Sequence, residues 1–185
     1  MKRCFDIVFS FIGLLVFFPV IFLLALAIIV TTRESPFYSD YRMGRNGESF
    51  LILKLRTMCG KTPTPKGLSS RMQRKRERGR VTWIGNFLRK YGLDELPQLW
   101  NIFVGQMSFV GPRPLPLLLA SRITYAPTIH GIRPGLTGLC QILPHCVHEQ
   151  TRTRLDCLYA KKRTFCLDIY IMFRTIPALL KRKDF

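Results

Sequence analysis

From Ile7 to Val30 the chain carries no charged residue, and no other stretch limits its fold as strongly. As a helix these about 24 residues would rise about 36 Å, against a hydrocarbon core of about 30 Å. The segment therefore has to meet a membrane. A cleaved signal peptide accounts for Lys2 and Arg3 ahead of the run and for Ala25-Leu26-Ala27 as a cleavage-like triplet. It does not account for the length, which exceeds the roughly 7–15 apolar residues of a signal core. Nor does it explain Asp6 near the start or the apolar Ile28-Ile29-Val30 beyond the cut. A straight single span is the other reading, but Pro19 divides the run into two arms, each near half a bilayer. Lys2 and Arg3 stand at one end and a strongly basic remainder at the other, so the positive-inside bias keeps both ends in the cytosol. Residues 1–32 are accordingly read as a re-entrant membrane helix bending at Pro19, and residues 33–185 as one domain at the cytoplasmic face.

Lys and Arg number 29 against 11 Asp and Glu, a formal net charge of +18, which calls for a polyanionic partner. Nucleic acid, anionic lipid and a phosphate-rich substrate all qualify on charge alone. The densest basic run, Arg71 to Arg80, has no interleaved aromatic residue on which bases could stack, which argues against nucleic acid. The six cysteines, Cys4, Cys59, Cys140, Cys146, Cys157 and Cys166, form no CxxC pair and are read as reduced packing residues.

Beyond the apolar run, residues 36–58 read as a β-hairpin turning at Gly44-Arg45-Asn46-Gly47. Residues 59–80 read as a basic loop. Trp83, Ile84, Phe87, Leu88 and Tyr91 recur at helical spacing, and Leu96, Leu99, Trp100 and Phe103 do so again after Gly92. Ile169, Tyr170, Met172, Phe173, Ile176, Leu179 and Leu180 form a stripe too short to span, ending in Lys181-Arg182-Lys183. It suits a helix lying in the headgroup region or docked on the protein's own core. The fold class is α+β: a mostly helical, membrane-associated domain with a small hairpin and interfacial amphipathic helices.

Between residues 49 and 148 the only carboxylates are Glu77, Asp94 and Glu95. Pro97, tolerated only in a first helical turn, places the adjacent acids at a helix start. Helix capping alone would justify them there. Gly111-Pro112-Arg113-Pro114 and Arg133-Pro134-Gly135 each hold a guanidinium on a stiff turn, a geometry suited to forked phosphate recognition. Singly each is an ordinary turn. Together with the acid pair they make phosphoryl-transfer equipment.

Leu93-Asp94-Glu95-Leu96-Pro97-Gln98-Leu99-Trp100-Asn101, followed by Gly105-Gln106-Met107-Ser108-Phe109-Val110-Gly111-Pro112-Arg113-Pro114, closely resembles the bacterial sugar transferase family of monotopic phosphoglycosyl transferases. Lys54-Leu55-Arg56-Thr57-Met58, Arg133-Pro134-Gly135-Leu136-Thr137-Gly138, Leu155-Asp156 with Tyr159, and Leu167-Asp168 match in the same order, and Lys2-Arg3 with Asp6 is similar to the family's opening. The resemblance implies a re-entrant helix at the bacterial inner membrane and dependence on Mg²⁺. It implies that Asp94 attacks the sugar-linked phosphate of a UDP-sugar, with release of UMP, and that Glu95 then activates an incoming polyprenyl phosphate. Asp94 would also face the metal. Arg113, Arg133 and Arg89 are the candidates for holding phosphate, and anionic membrane lipid is an expected partner.

Three departures from the family pattern stand out. Phe18 precedes Pro19 where Ser is common, Gln106 takes a usually acidic position, and Leu143-Pro144-His145 replaces an Asn-Gly-Arg-like stretch. Cys140, His145, Cys146 and His148 lack the paired ligand turns of a structural zinc site. Asp156 and Asp168 are read as orienting helices or pairing with Lys161, Lys162 or Arg163. The rival from another class is a basic membrane-bound scaffold that binds anionic lipid or nucleic acid through residues 71–80. A transferase-like fold without activity is a third reading.

Overall fold

A computed structural model of the chain describes residues 1–60, 79–117, 129, 131–143 and 149–180. The apolar run forms one helix, α1 (Lys2–Thr32), with Pro19 inside it. Strands β1 (Phe37–Met43) and β2 (Ser49–Leu55) follow, then helices α2 (Trp83–Tyr91) and α3 (Gln98–Val104). Strand β3 (Ser108–Val110) pairs in parallel with β4 (Gly135–Thr137). Helices α4 (Leu139–Ile142), α5 (Glu149–Lys162) and α6 (Phe165–Leu180) complete the order. The α+β expectation holds, with the hairpin where the sequence put it.

Helix α1 touches the body with both arms and leaves its middle bare. Asp6, Ser10, Ala25 and Ile28 are buried. Leu14 packs against Phe50, Leu99 and their neighbours, while Ile21, Leu24 and Ala27 pack against Leu55, Ile84 and Leu88. Leu15 to Val20, Pro19 included, are all exposed. Ser10 and Ile28 lie about five turns apart and so share a face, and Pro19, midway between them, lies about two and a half turns from each, on the opposite face. A proline lacks the amide proton and clashes with the carbonyl one turn back, which opens a helix on the proline's own side. A bend at Pro19 would therefore tip both arms toward the body.

Strands β1 and β2 form an antiparallel hairpin in register from Phe37 with Leu55 to Met43 with Ser49. Asn46 and Gly47 supply the positive φ values, 57° and 81°, that its turn requires. Along β2, Phe50 and Ile52 face the core, so by strand parity Lys54 points to the same side. The free edge of β2 is closed by one side chain. Asn101 Oδ1 accepts from Leu53 N at 3.0 Å and Asn101 Nδ2 donates to Leu51 O at 2.7 Å, standing in for a missing strand. The same Nδ2 donates to Gln106 Oε1 at 2.7 Å. An amide oxygen accepts that bond as a carboxylate would.

The start of α1 is fastened by charge and hydrogen bonds. Asp6 Oδ1 accepts from the Ser108 hydroxyl and the Phe109 amide, both at 3.2 Å. Arg3 donates to the Ile102 and Phe103 carbonyls at 2.6 and 2.7 Å, capping the C-terminal end of α3. Lys2 Nζ reaches Asp168 Oδ2 at 2.7 Å, the Tyr159 hydroxyl at 2.8 Å and the Val110 carbonyl at 2.8 Å. Asp168 thus ties α6 to α1, in keeping with the helix-orienting reading. Its ion pair among the described residues is with Lys2 and not with Lys161, Lys162 or Arg163, because its side chain faces inward at 5% exposure.

Helix α6 buries Ile171 and exposes Phe165, Tyr170, Phe173 and Ile176. The reading of a helix docked on the protein's own core is met on the buried face, and the other face is bare; Lys181 to Lys183 lie outside the described residues. So do Arg71 to Arg78, His130, His145, Cys146 and His148. Cys4, Cys59, Cys157 and Cys166 are free thiols as expected, but Cys140 is disulfide-bonded, which corrects the reading of six unpaired cysteines.

Candidate active site

Helix α2 sets the position of the acid pair. The Thr82 hydroxyl caps its start by accepting the Gly85 amide at 2.9 Å, and Gly92, at φ 68°, ends it. The Thr82 amide bonds the Thr57 carbonyl at 3.1 Å. Gly85 lies so close to that carbonyl that a Cβ would overlap its oxygen. The end of the hairpin and the first turn of α2 are thereby pressed together.

The left-handed Gly92 turns the chain into a short 3-10 segment, Leu93–Glu95, which carries both acids. The sequence placed them at a helix start. They stand one short turn earlier, since α3 begins at Gln98 with Pro97 as its cap. Asp94 and Glu95 are both half-buried. Lys54 Nζ binds Glu95 Oε1 at 2.6 Å. Arg89, in the last turn of α2, donates from Nε to the Thr57 hydroxyl at 2.9 Å, fixing its guanidinium beside the turn.

Burial, and then the adjacent Glu95 charge, push the Asp94 carboxyl up to about 6, while Lys54 and Arg89 pull it down without offsetting the rise. Glu95 has an ion-pair partner in Lys54, and among the described residues Asp94 has none. A half-buried carboxylate whose charge is only partly compensated by the two nearby cations suits an attack on an electrophile that arrives with its own phosphates.

Of the three guanidinium groups singled out in the sequence, the fold brings Arg89 to the acids. Arg113 is exposed on its turn after β3, and its backbone amide donates to Asp156, which is only 2% exposed. Burial raises Asp156 to about 7, against the lowering effects of that hydrogen bond and of Arg113 and Arg152. Asp156 therefore ties α5 to the Gly111–Pro114 turn, in keeping with the helix-orienting reading, and the charges acting on it are Arg113 and Arg152. Arg133 donates to the Gly105 carbonyl at 2.7 Å, at the end of α3 away from the acids. Sequence reasoning gave no role to Lys54, Thr57 or Asn101. A lysine in phase with the inward Phe50 and Ile52 of an alternating strand was the available signal for the first.

The chain matches the family described as Bacterial sugar transferase over residues 1–182. It is 39% identical to the exopolysaccharide production protein ExoY of Rhizobium meliloti (strain 1021), over 96% of this chain and 84% of that protein. It is 35% identical to a UDP-galactose-lipid carrier transferase of Erwinia amylovora, with 98% of this chain covered but only 41% of the relative. It is also 35% identical to a UDP-glucose:undecaprenyl-phosphate glucose-1-phosphate transferase of Caulobacter vibrioides, covering 97% of this chain and 69% of that protein. With the acid pair, its cations and the ordered motifs all within the matched span, the chain belongs to the bacterial sugar transferase family.

Proposed function

We propose that this protein transfers a sugar 1-phosphate from a UDP-sugar to undecaprenyl phosphate or a similar polyprenyl phosphate, releasing UMP, at the cytoplasmic face of the bacterial inner membrane. The reading is carried by Asp94, a half-buried acid raised to about 6 beside Glu95, with Lys54 and Arg89 in place to receive phosphate charge. The relatives' names, UDP-glucose:undecaprenyl-phosphate glucose-1-phosphate transferase among them, support the substrate classes.

In the first step an Asp94 oxygen bonds to the sugar-linked phosphorus, and the bond from that phosphorus to the bridging oxygen breaks. UMP leaves with that oxygen and its electron pair, and the sugar phosphate remains on Asp94 as an acyl phosphate. In the second step an oxygen of polyprenyl phosphate, its proton taken by Glu95 where present, attacks the same phosphorus. The bond to Asp94 breaks and the carboxylate is restored. The nearness of Arg89 to Asp94 supports it as the group that holds the donor diphosphate, and Arg113 is the second candidate.

Magnesium fits these residues in a limited way. Among the described residues no three carboxylate, His or Cys side chains converge, but Mg²⁺ is commonly held by one or two carboxylates plus substrate phosphates. Mutual repulsion of Asp94 and Glu95 is the kind of strain a divalent cation relieves, and Asp94 is the residue that would hold it. When bound it would neutralise phosphate charge and allow an anionic nucleophile to approach.

The re-entrant reading of residues 1–32 is supported by both arms of α1 docking on one body with the Pro19 segment bare between them. The outward faces of the other helices support membrane contact: Trp83, Phe87 and Tyr91 on α2, Trp100 and Val104 on α3, and Phe173 and Ile176 on α6 are exposed. The Phe103 ring packs 5.9 Å from both Phe11 and Trp100, joining the α1 and α3 surfaces. Residues 33–185 then form the catalytic domain resting on the interface.

The test is UMP release from a panel of UDP-sugars by the full chain in detergent or nanodiscs, with and without Mg²⁺ and polyprenyl phosphate. Release requiring Mg²⁺, lost in Asp94→Asn and, under repeated turnover with polyprenyl phosphate, in Glu95→Gln, is the expected result. Undiminished release in both variants rejects the mechanism, and absence of release with every donor rejects the reaction class.

A further inference from the structure

At the C-terminal end of α3 lies a cavity of about 490 Å³, lined by Arg45, Arg133 and Arg163 together with Lys2 and Arg3. That volume falls within the range of about 300–1,000 Å³ typical of ligand sites. Two carboxylates, Asp6 and Asp168, share the wall, and both are already satisfied. Asp168 receives Lys2 at 2.7 Å and the Tyr159 hydroxyl at 2.6 Å, and Asp6 receives the Ser108 hydroxyl and Phe109 amide. Arg3 spends two donors on the α3 carbonyls. Arg45, Arg133 and Arg163 have no carboxylate partner among the described residues.

Arg133 is the most constrained of the three. Its Nε is anchored to Gly105 O, which fixes the guanidinium plane and leaves the terminal nitrogens for another acceptor. Burial and the positive fields of Arg3 and Arg45 lower its pKa, and the Asp6 carboxylate opposes them without offsetting the fall, so the cations here are only partly compensated. Capping of α3 explains Arg3 and the Nε of Arg133. It does not explain Arg45, which comes from the hairpin turn, or Arg163, which comes from the junction between α5 and α6.

None of Asp94, Glu95, Lys54 or Arg89 lines this cavity. The acids precede the start of α3 and the cavity adjoins its end, so the helix's rise of about 10 Å separates them. The rim suggests the occupant. Met1 and Phe165 are apolar, exposed and part of the lining, and Ile7, Val8 and Phe11 continue outward along α1 from the same point. A charged head held by guanidinium forks with its apolar portion running along α1 matches this combination.

We infer that this cavity is a second anion site, separate from the acid pair, which holds the headgroup phosphate of an anionic membrane lipid and so sets the depth at which the start of α1 rests. It relies on the membrane placement proposed above and not on the transfer reaction.

The full chain is reconstituted into nanodiscs of phosphatidylcholine doped with phosphatidylglycerol, then released into mild detergent, and retained lipid is counted by native mass spectrometry. Wild-type protein is expected to keep phosphatidylglycerol over phosphatidylcholine. Arg133→Gln and the double variant Arg45→Gln/Arg163→Gln are expected to lose about tenfold in that retention, and Arg45→Lys/Arg163→Lys to keep most of it. Equal retention of the two lipids, or undiminished retention in the Gln variants, overturns the inference. If inorganic phosphate at millimolar concentration binds while no phosphatidylglycerol is retained, the lipid assignment also falls. A chain that enters the discs but retains no anionic lipid refutes only this site, whereas a chain that never enters them refutes the membrane placement itself.

Discussion

Lys54 Nζ lies 2.6 Å from Glu95 Oε1, an ion pair joining the inner face of β2 to the turn that carries the acid pair. With side-chain exposures of 23% and 36%, the pair contributes little net stability. Its effect is on placement and charge. Glu95 is held toward the strand, and Asp94 is left as the acid without an ion-pair partner among the described residues.

The titration of Asp94 follows from that arrangement. In magnesium-free protein its carboxyl is expected to titrate near 6, read by carboxyl carbon NMR. Lys54 lowers this value, so Lys54→Met is expected to move the midpoint to higher pH, and added Mg²⁺ to move the wild-type midpoint to lower pH. A midpoint near 4, unmoved by either change, would contradict the electrostatics described.

Asp156 gives a pH dependence of stability. Its folded pKa, about 7, exceeds the ordinary carboxyl value of 3.8. Between these values the folded chain keeps a proton that the unfolded chain releases, so stability falls as pH rises, by up to about 1.4 kcal/mol per pH unit. Asp156→Asn retains an acceptor for the Arg113 amide and removes the titration. Thermal unfolding in detergent from pH 4.5 to 7.5 is expected to slope downward in the wild type and to flatten in the variant. Parallel profiles would dismiss this assignment.

Gly85 is required by contact, not by backbone angle. Gly85→Ala forces a methyl group into the Thr57 carbonyl and is expected to cost about 1–3 kcal/mol, with loss of UMP release as Arg89 and the acid turn shift. Asn86→Ala, one residue on and exposed, should stay within about 0.5 kcal/mol. Equal stability of the two variants would show that α2 can back away from the hairpin.

The elements readable in the sequence were those with local causes. Asn46-Gly47 announced the hairpin turn, Gly92 the break between two helices, and the spacing of Trp83, Ile84, Phe87 and Leu88 the first of them. Asp94 and Glu95 stood out as a candidate site because so few other carboxylates accompany them in that half of the chain. What was not legible came from contacts distant in sequence. Nothing near Lys2 points to Asp168, and nothing near Asn101 reveals that it completes the edge of β2. Arg113 and Arg133 look alike as Arg-Pro turns, yet one turn is fixed by Asp156 and the other guanidinium is anchored at the far end of α3. The Cys140 disulfide was missed because no paired spacing marks it.

The central claim is that Asp94 bonds to phosphorus during turnover. The most direct measurement is intact-protein and peptide mass spectrometry after rapid acid quench of the full chain with a UDP-sugar and Mg²⁺ but no polyprenyl phosphate. The account predicts a sugar phosphate on the peptide containing Asp94, absent in Asp94→Asn and discharged when polyprenyl phosphate is supplied. Active enzyme that releases UMP and forms lipid-linked product while Asp94 remains unmodified at every quench time would contradict it.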